Sequence, residues 1–192
     1  MKHNKSEKMN EWAEGIRLSD RRAFDEFFRR FYAQLVQFAL SYTKDKASAC
    51  DIIQDSFVSL WQNRENIDPE KSLKAYTYMI VRNRAINYIR NHSSEIPKPD
   101  FDIEKSMTPE AELSENEDNR NLRQKFREWI ENLPERRQEA FELSRFDGLN
   151  HNEIAKVMDV SPKTVNNHIV AALDQLRSDY KSYMKENQHR NV

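Results

Sequence analysis

The segment GLNHNEIAKVMDVSPKTVNNHIVAALDQLR, residues 148–177, contains helix start signals, stop signals and apolar spacing that describe a single motif. Asn150 is a suitable N-cap, and Glu153 can complete a capping box with it. In the run Asp159-Val160-Ser161-Pro162, aspartate tolerates the left-handed conformation, serine is a good cap and proline suits a first helical position. The segment therefore predicts two helices joined by a turn of about three residues, a helix-turn-helix.

The second of these helices has one apolar and one polar face. Its apolar stripe consists of Val165, Ile169, Ala172, Leu173 and Leu176. The polar residues near its N-terminus are Ser161, Lys163, Thr164, Asn166, Asn167 and His168. Such residues bind base edges and phosphates when a recognition helix enters the major groove. We therefore expect DNA binding, although an ordinary helical hairpin with a solvated polar face has the same pattern.

The composition predicts an all-α protein of two small domains. The 192 residues are 38% apolar and 10% aromatic, with two glycines and six prolines, so cores can form and helix breakers are scarce. Cys50 is the single cysteine, which excludes an intrachain disulfide and fits a reducing cytoplasm. The N-terminus lacks a signal-peptide pattern, and no apolar run reaches the roughly 18 residues of a membrane span.

The N-terminal half predicts helices packed through aromatic residues. Residues 1–14 are polar and expected to be mobile, and Ser19 and Asp20 can cap the helix that follows. Its apolar residues recur at steps of three and four, which predicts one long helix or two helices broken near Phe31. They are Ala23, Phe24, Phe27, Phe31, Leu35, Phe38, Ala39 and Tyr42.

Residues 46–63 predict a helix whose two faces differ. Its inward residues are Ala49, Ile52, Ile53, Ser56, Phe57 and Leu60. Asp51, Gln54 and Asp55 form an acidic edge, and Trp61 follows at the helix end. Such an edge is either a solvated face or the contact surface of a partner that carries arginines.

A polar loop, residues 63–71, leads to a basic helix at about residues 72–91. Between residues 73 and 92 there is no acidic residue. The basic residues are Lys74, Arg82, Arg84 and Arg90, and the tyrosines are Tyr76, Tyr78 and Tyr88. Cations and aromatic rings in alternation are typical of single-stranded nucleic acid binding. Core tyrosines with solubilising arginines explain the same pattern, so both interpretations are open.

Residues 93–121 predict an extended acidic linker, since they contain prolines, many carboxylates and no apolar period. The C-terminal domain follows, with one helix from about Leu122 and a second opened by Pro134. Residues 181–192 are expected to fray. The five histidines are scattered, and we interpret them as non-ligands: His3, His92, His151, His168 and His189.

The order of these elements resembles an extracytoplasmic-function (ECF) sigma factor of the sigma-70 superfamily, from about residue 15 to residue 183. Residues 51–57, Asp-Ile-Ile-Gln-Asp-Ser-Phe, together with Trp61 are similar to the family's polymerase-binding helix. Residues 82–90, Arg-Asn-Arg-Ala-Ile-Asn-Tyr-Ile-Arg, are similar to its promoter-melting helix. Leu133-Pro134-Glu135 and residues 148–177 resemble its second promoter-reading domain, except that Asp159 stands where the motif usually has glycine.

The resemblance implies two domains, residues 15–92 and 122–183, and an acidic linker, residues 93–121, that threads towards the RNA exit path of the polymerase. The first domain would bind the largest subunit of core RNA polymerase through Asp51, Gln54, Asp55, Phe57 and Trp61. It would bind the opened minus-ten element through Asn63, Asn66, Asp68, Lys71, Lys74, Tyr78, Arg82, Arg84 and Arg90. The second would read the minus-thirty-five element in duplex DNA through Ser161, Lys163, Thr164, Asn166, Asn167 and His168.

The function implied by the resemblance is that of an alternative sigma factor, a non-enzymatic transcription initiation factor of the cytoplasm that uses no cofactor. Its partners would be core RNA polymerase, promoter DNA and an anti-sigma factor, with no small-molecule substrate and no membrane insertion. A response regulator is one rival, because residues 163–169 also resemble the recognition helix of that family. Such a protein would need a front domain of alternating strands and helices. The other rival is a helical adaptor that binds only protein.

Overall fold

The computed structural model describes residues 2–92 and 117–188, and within these ranges it contains eight α-helices, one 3-10 turn and no strand. The all-α fold class is thus confirmed for this part of the chain. The chain divides into two compact units, Met1–Lys105 and Ser106–Val192. Most of the expected linker, residues 93–116, lies outside the described residues, whereas residues 117–121 belong to a helix.

One central helix organises the first unit. The unit contains α1 (Lys2–Arg17), α2 (Arg21–Thr43), α3 (Lys46–Gln62), the 3-10 turn Arg64–Asn66 and α4 (Leu73–His92). The central helix is α2, which contacts α1, α3 and α4. Asp20 caps α2 by accepting a hydrogen bond from the Arg22 backbone N–H at 2.8 Å. The helix continues past Phe31 without a break, because its apolar residues stay on one side along its length.

Aromatic rings fill the space between α2 and α3. Phe27 is fully buried, and its ring centroid lies 4.8 Å from that of Phe31 and 6.2 Å from that of Phe57. Ring pairs at such separations add about 0.5–1.5 kcal/mol each beyond their buried area. The α3 residues expected to face inward are all buried, so the apolar spacing of this helix is a core signal.

Residues 2–14, for which the sequence predicts no regular element, belong to α1, and the second half of this helix packs on the core. Ala13 and Ile16 are buried. The Trp12 ring centroid lies 6.0 Å from that of Phe27 and 6.2 Å from that of Phe31. The polar sequence of α1 conceals this helix, because tertiary packing of a few apolar side chains stabilises it more than intrinsic propensity does.

The corner between α1 and α2 is tightly built. A Cβ atom on Gly15 would lie 2.7 Å from the Cβ of Ala23, so the missing side chain lets the two helices approach. The Ser19 N–H donates to the Ile16 carbonyl at 2.9 Å, and the Asp20 N–H donates to the Gly15 carbonyl at 2.8 Å. This pair of hydrogen bonds is a Schellman motif. Ser19 has a φ of 67° at the position where such motifs usually have glycine.

The second unit is organised by its last helix. It contains α5 (Glu117–Glu131), α6 (Glu135–Arg145), α7 (His151–Met158) and α8 (Pro162–Gln188), and α8 contacts the other three. Its core includes Ile130, Leu133, Phe141, Ala172 and Leu176. Gly148, between α6 and α7, has a φ of 65°.

The C-terminal end of α8 extends further than expected. Residues 181–188 are helical, so the expected fraying is wrong for them, and residues 189–192 lie outside the described residues. The Tyr183 ring centroid lies 5.8 Å from that of Trp129 on α5. This aromatic contact explains why a polar segment continues the helix.

Residues 2–92 and 117–188 contain no helix with the length and apolar character that a membrane span requires. No group of three or more histidine, cysteine, aspartate or glutamate residues in the same ranges could hold a metal ion.

Candidate polymerase and promoter surfaces

The helix-turn-helix forms as the sequence predicts. The Asn150 side chain accepts hydrogen bonds from the backbone N–H groups of Asn152 and Glu153, both at 3.0 Å. The Glu153 carboxylate accepts one from the Asn150 N–H at 2.8 Å, which completes the capping box. Asp159 ends α7 in the left-handed conformation, with φ 55° and ψ 53°. The turn of residues 159–161 between α7 and α8 has the expected length.

The start of α8 presents one basic and two amide side chains to solvent. The exposed residues are Lys163, Asn166 and Asn167. Val165 is fully buried on the other side of the helix. Ser161 is exposed, but it caps the helix: the Thr164 N–H donates to its hydroxyl oxygen at 3.1 Å, and the two hydroxyl oxygens lie 2.8 Å apart. Thr164 and His168 are half-buried, so the six candidate residues differ in their access to DNA.

The acidic edge of α3 faces solvent. Asp51, Gln54 and Asp55 are exposed. The Asp55 side chain is 72% exposed, and its carboxylate lies 3.8 Å from a guanidinium nitrogen of Arg84 on α4. An ion pair this exposed contributes about 0–1 kcal/mol. A partner that bound Asp55 would therefore lose little energy by displacing Arg84.

Phe57 lies inside the core rather than on this edge. Its side chain is 3% exposed, and the ring centroids of Phe24 and Phe28 lie 5.9 and 4.7 Å from its own. A direct polymerase contact by Phe57 does not fit this burial, which follows from its place on the inward stripe of α3. Trp61 is half-buried, with its ring centroid 5.1 Å from that of Phe24.

The face that α4 exposes differs from the expected one. Tyr78 is fully buried and Arg82 is 6% exposed, so a direct contact of either side chain with DNA does not fit this conformation. Lys74 is half-buried, and its ammonium nitrogen lies 5.3 Å from the ring centroid of Phe31 and 5.7 Å from that of Tyr78. The outward stripe of α4 consists of Asn83, Ile86, Asn87 and Arg90.

The two asparagines of this outward stripe are not among the site residues predicted from the sequence. Asn83 and Asn87 are four residues apart, so they lie on the same side of α4 as Arg90. Their amides can donate to and accept from base edges. Polar residues on the buried side concealed the pattern: Thr77 is fully buried and its hydroxyl donates to the Leu73 carbonyl at 2.9 Å. The spacing of the asparagines before Arg90 is the signal that could have found them.

The loop between α3 and α4 has its own hydrogen bonds. The Asp68 carboxylate accepts from the Glu70 N–H at 3.0 Å and lies 2.9 Å from the Lys71 ammonium. This carboxylate raises the pKa of Lys71. Ile67 is buried beneath the loop. The candidate base-binding residues are exposed, namely Asn63, Asn66, Asp68 and Lys71.

Arg64, which is not among the site residues predicted from the sequence, connects this loop to the rest of the first unit. Its Nε donates to the Ser19 hydroxyl at 2.7 Å, and its Nη1 donates to the Trp61 carbonyl at 2.9 Å. The guanidinium carbon lies 4.9 Å from the centroid of the Trp61 ring. A polar residue in a polar loop gives no sequence signal for such a contact.

A polar connection joins the N-terminus of α3 to the end of α4. The Asp45 carboxylate accepts from the Ser48 N–H at 2.8 Å and from the Ser48 hydroxyl at 2.6 Å. The Ser48 hydroxyl also lies 2.7 Å from the Tyr88 hydroxyl. These hydrogen bonds from Ser48 lower the pKa of Asp45. The connection helps to hold the start of α3 against the end of α4.

Known proteins match both units. A family model described as Sigma-70 region 2 matches residues 27–95, and one described as Sigma-70, region 4 matches residues 123–176. The ECF RNA polymerase sigma factor SigM of Bacillus subtilis is 26% identical, over 81% of this chain and 94% of its own length. The ECF RNA polymerase sigma-E factor of Haemophilus influenzae is 25% identical, over 89% of this chain and 94% of its own length.

Two solved structures share the fold. CnrH, solved in complex with the cytosolic domain of CnrY, has a TM-score of 0.64 at 20% identity, over 91% of this chain and 98% of its own. The sigma factor RpoE, solved with the anti-sigma factor NepR from Bartonella quintana, has a TM-score of 0.62 at 21% identity, over 82% of this chain and 96% of its own. From the family matches and the ECF relatives, the chain belongs to the sigma-70 family and is an ECF sigma factor, an alternative sigma factor of transcription initiation.

Proposed function

We propose that this chain binds core RNA polymerase through its first unit, stabilises the opened minus-ten element with the same unit, and reads the minus-thirty-five element with the second. The observation that carries the proposal is the presence, in separate units of one chain, of an exposed acidic edge and an exposed helix-turn-helix face. The chain acts in the cytoplasm and has no catalytic step of its own, because the polymerase supplies the chemistry.

The polymerase contact is made by Asp51, Gln54 and Asp55. Their side chains point away from the buried face of α3, so a partner surface can reach all three at once. Arginines on that surface would form charge-assisted hydrogen bonds with the carboxylates, which are stronger than neutral ones. Phe57 and Trp61 support the edge from within the unit.

The opened strand is bound by the exposed loop residues and by the outward stripe of α4. Arg90 contacts phosphate, while Asn83 and Asn87 present amides to unpaired bases. Unstacking a base costs a few kcal/mol, and hydrogen bonds to the amides and loop residues offset this cost by about 0.5–1.5 kcal/mol each. Binding energy of this size favours strand opening without a supply of ATP.

The duplex upstream is read by Lys163, Asn166 and Asn167. One lysine gives this helix little electrostatic affinity of its own, since each phosphate contact adds a limited amount. Attachment of both units to one polymerase raises the effective concentration of the second unit near its site. Isolated residues 122–192 should therefore bind promoter duplex weakly. The affinity that remains should fall as salt rises, because phosphate contacts release counterions.

An anti-sigma factor completes the set of proposed partners. RpoE was solved with the anti-sigma factor NepR, and this chain shares its fold. Such a partner would have to cover the acidic edge of α3 or the face of α8 to prevent initiation.

The proposal is tested by sequencing the transcripts that core RNA polymerase makes with and without this chain. We expect new start sites, each preceded by shared minus-ten and minus-thirty-five sequences. The double variant Asp51→Lys, Asp55→Lys should lower affinity for core polymerase at least about a hundredfold without unfolding the chain, because two attractive contacts become repulsive. Asp25→Lys, on the exposed surface of α2, is the matched control.

Two outcomes would contradict the proposal. Core polymerase that gains no start sites excludes the function as a whole. Retained binding by the Asp51, Asp55 variant excludes the α3 edge as the contact surface. For the second unit, Asn167→Ala should change the preferred minus-thirty-five sequence, and an unchanged preference in a selection from random promoters would exclude Asn167 as a reading residue.

A further inference from the structure

We propose that Ser19 and Arg64 form a brace that holds the base-binding loop, residues 63–71, in its reading conformation. Through this brace α1 contributes to recognition of the minus-ten element without touching DNA. The inference rests on the proposed function of the loop. It assigns a positioning role to a corner that lies before residue 27, where the match to Sigma-70 region 2 begins.

The Arg64 guanidinium contacts residues outside the loop to which Arg64 belongs. Arg64 belongs to the 3-10 turn at the start of the loop, between the exposed residues Asn63 and Asn66. Its guanidinium makes three contacts away from the loop: one with Ser19, one with the Trp61 carbonyl and one with the Trp61 ring. A planar, forked cation fits such a combination of acceptors and ring better than lysine does.

The backbone of Ser19 has a conformation that is unusual for serine. This serine ends α1 in the left-handed conformation, with a φ of 67°. A Schellman motif favours glycine there, because a side chain has a steric cost in this region. Among the described residues, three that are not glycine have a positive φ: Ser19, Lys44 and Asp159. The Ser19 hydroxyl accepts a hydrogen bond from Arg64. This hydrogen bond explains why serine, and not glycine, occupies the left-handed position.

The loop also has contacts that do not involve the Arg64 side chain. Ile67 is buried, and α1 contacts the 3-10 turn. The hydrogen bonds of Asp68 with Glu70 and Lys71 stay inside the loop. The Arg64 side chain adds a hydrogen bond that joins the start of the loop to the end of α1. A loop that is held in its bound conformation before it meets the ligand loses less entropy on binding.

The test compares glycine substitutions at two left-handed positions. Ser19→Gly removes the acceptor for Arg64, while glycine adopts this backbone without steric cost. Lys44→Gly, at the end of α2, makes the same backbone change without altering the brace. Both variants should unfold at the wild-type temperature or above it. We expect only Ser19→Gly to reduce discrimination among minus-ten sequences, by roughly fivefold, the effect of one hydrogen bond.

The measurement uses full-length chain and core RNA polymerase on a promoter identified by transcript sequencing, with its minus-ten element randomised. Arg64→Ala and Arg64→Lys should reduce discrimination as Ser19→Gly does, while affinity for core polymerase changes less than about twofold. Arg30→Ala is the matched arginine control, since Arg30 is exposed and its guanidinium lies 5.5 Å from the Phe31 ring.

Three results would contradict the proposed role of the brace. One is unchanged discrimination in the Ser19 and Arg64 variants. Another is an equal loss in Lys44→Gly, which would point to a general effect of glycine at helix ends. The third is a loss of core binding by Arg64→Ala with discrimination intact, which would place Arg64 and Trp61 on the polymerase surface. A wild-type chain that directs no initiation would instead refute the proposed function, and the two failures are therefore distinguishable.

Discussion

Each unit is organised by one helix that contacts three others, yet the candidate surfaces of the two units depend on different interactions. In the second unit the outward residues lie close together at the start of α8, where hydrogen-bonded caps fix the turn locally. In the first unit they come from α3, the loop and α4, whose relative placement depends on aromatic packing. Core damage should therefore disable the composite surface of the first unit, and cap removal should affect only the surface of the second.

The largest expected effect is that of Phe57→Ala. Removing this buried ring should lower the free energy of unfolding of the first unit by about 3–5 kcal/mol, because it leaves a cavity between α2 and α3. Polymerase affinity should fall along with stability. Hydrogen exchange of the two units measures the change, and Phe146→Ala, at a ring that is 53% exposed in the second unit, is the control. Lost polymerase affinity without lost stability would instead restore Phe57 as a direct contact.

Gly15→Ala should have the next largest effect. The added methyl group would meet Ala23, and overpacking of this kind costs about 1–3 kcal/mol. Combining it with Ala23→Gly should recover part of the loss, which a double-mutant cycle of unfolding free energies measures. Gly148→Ala gives the contrasting case in the second unit. No heavy atom outside residues 147–149 lies within 4 Å of the added Cβ, so the cost comes from the positive φ alone. Strictly additive effects of the Gly15 and Ala23 changes would contradict the close crossing of α1 and α2.

Asn150→Ala should destabilise the second unit by about 1 kcal/mol, the usual cost of losing an N-cap. Faster hydrogen exchange should be confined to α7 and the turn after it, with the first unit unchanged. Asn152→Ala is the control, because Asn152 contributes its backbone N–H to the cap. Exchange that spreads across both units would show that the two surfaces are not independent.

The smallest effect concerns pH. Hydrogen bonds from Ser48 lower the pKa of Asp45 in the folded state, so the carboxylate stabilises the first unit above the ordinary aspartate pKa of about 3.9. This contribution is lost as the pH falls through the lower folded value. Asp45→Asn keeps a good N-cap but should flatten the fall in stability of the first unit below about pH 4. An acid titration of unfolding free energy that gives the wild-type slope would exclude this role for Asp45.

The parts of the fold that the sequence predicts well are those specified by neighbours in the chain. The capping box at Asn150, the left-handed Asp159 and the inward stripe of α3 all depend on residues a few positions apart. The packing of α1 depends on Trp12 meeting Phe27 and Phe31, which are more than a dozen positions away. Local patterns carry no information about such contacts.

The candidate surfaces divide in the same way. The exposed edge of α3 follows from helical spacing, because the positions of its inward residues determine the rest. The outward stripe of α4 does not follow from helical spacing. Tyr78 and Arg82 are buried, although polar side chains of this kind are usually predicted to face solvent. The contact between Arg64 and Ser19 joins polar residues 45 positions apart, and only the folded chain brings them together.

The length of α8 limits how the second unit can vary. One continuous helix carries the candidate DNA-binding side chains at its start and reaches Tyr183, which packs on α5 near its other end. Each residue of an α-helix turns the chain by about 100°. A one-residue insertion or deletion between Asn167 and Ala172 would therefore rotate the start of α8 by about 100° relative to the part of the helix that packs on the rest of the unit. Substitutions can therefore change which bases this helix recognises, but its length between the candidate DNA-binding residues and the packed residues cannot change.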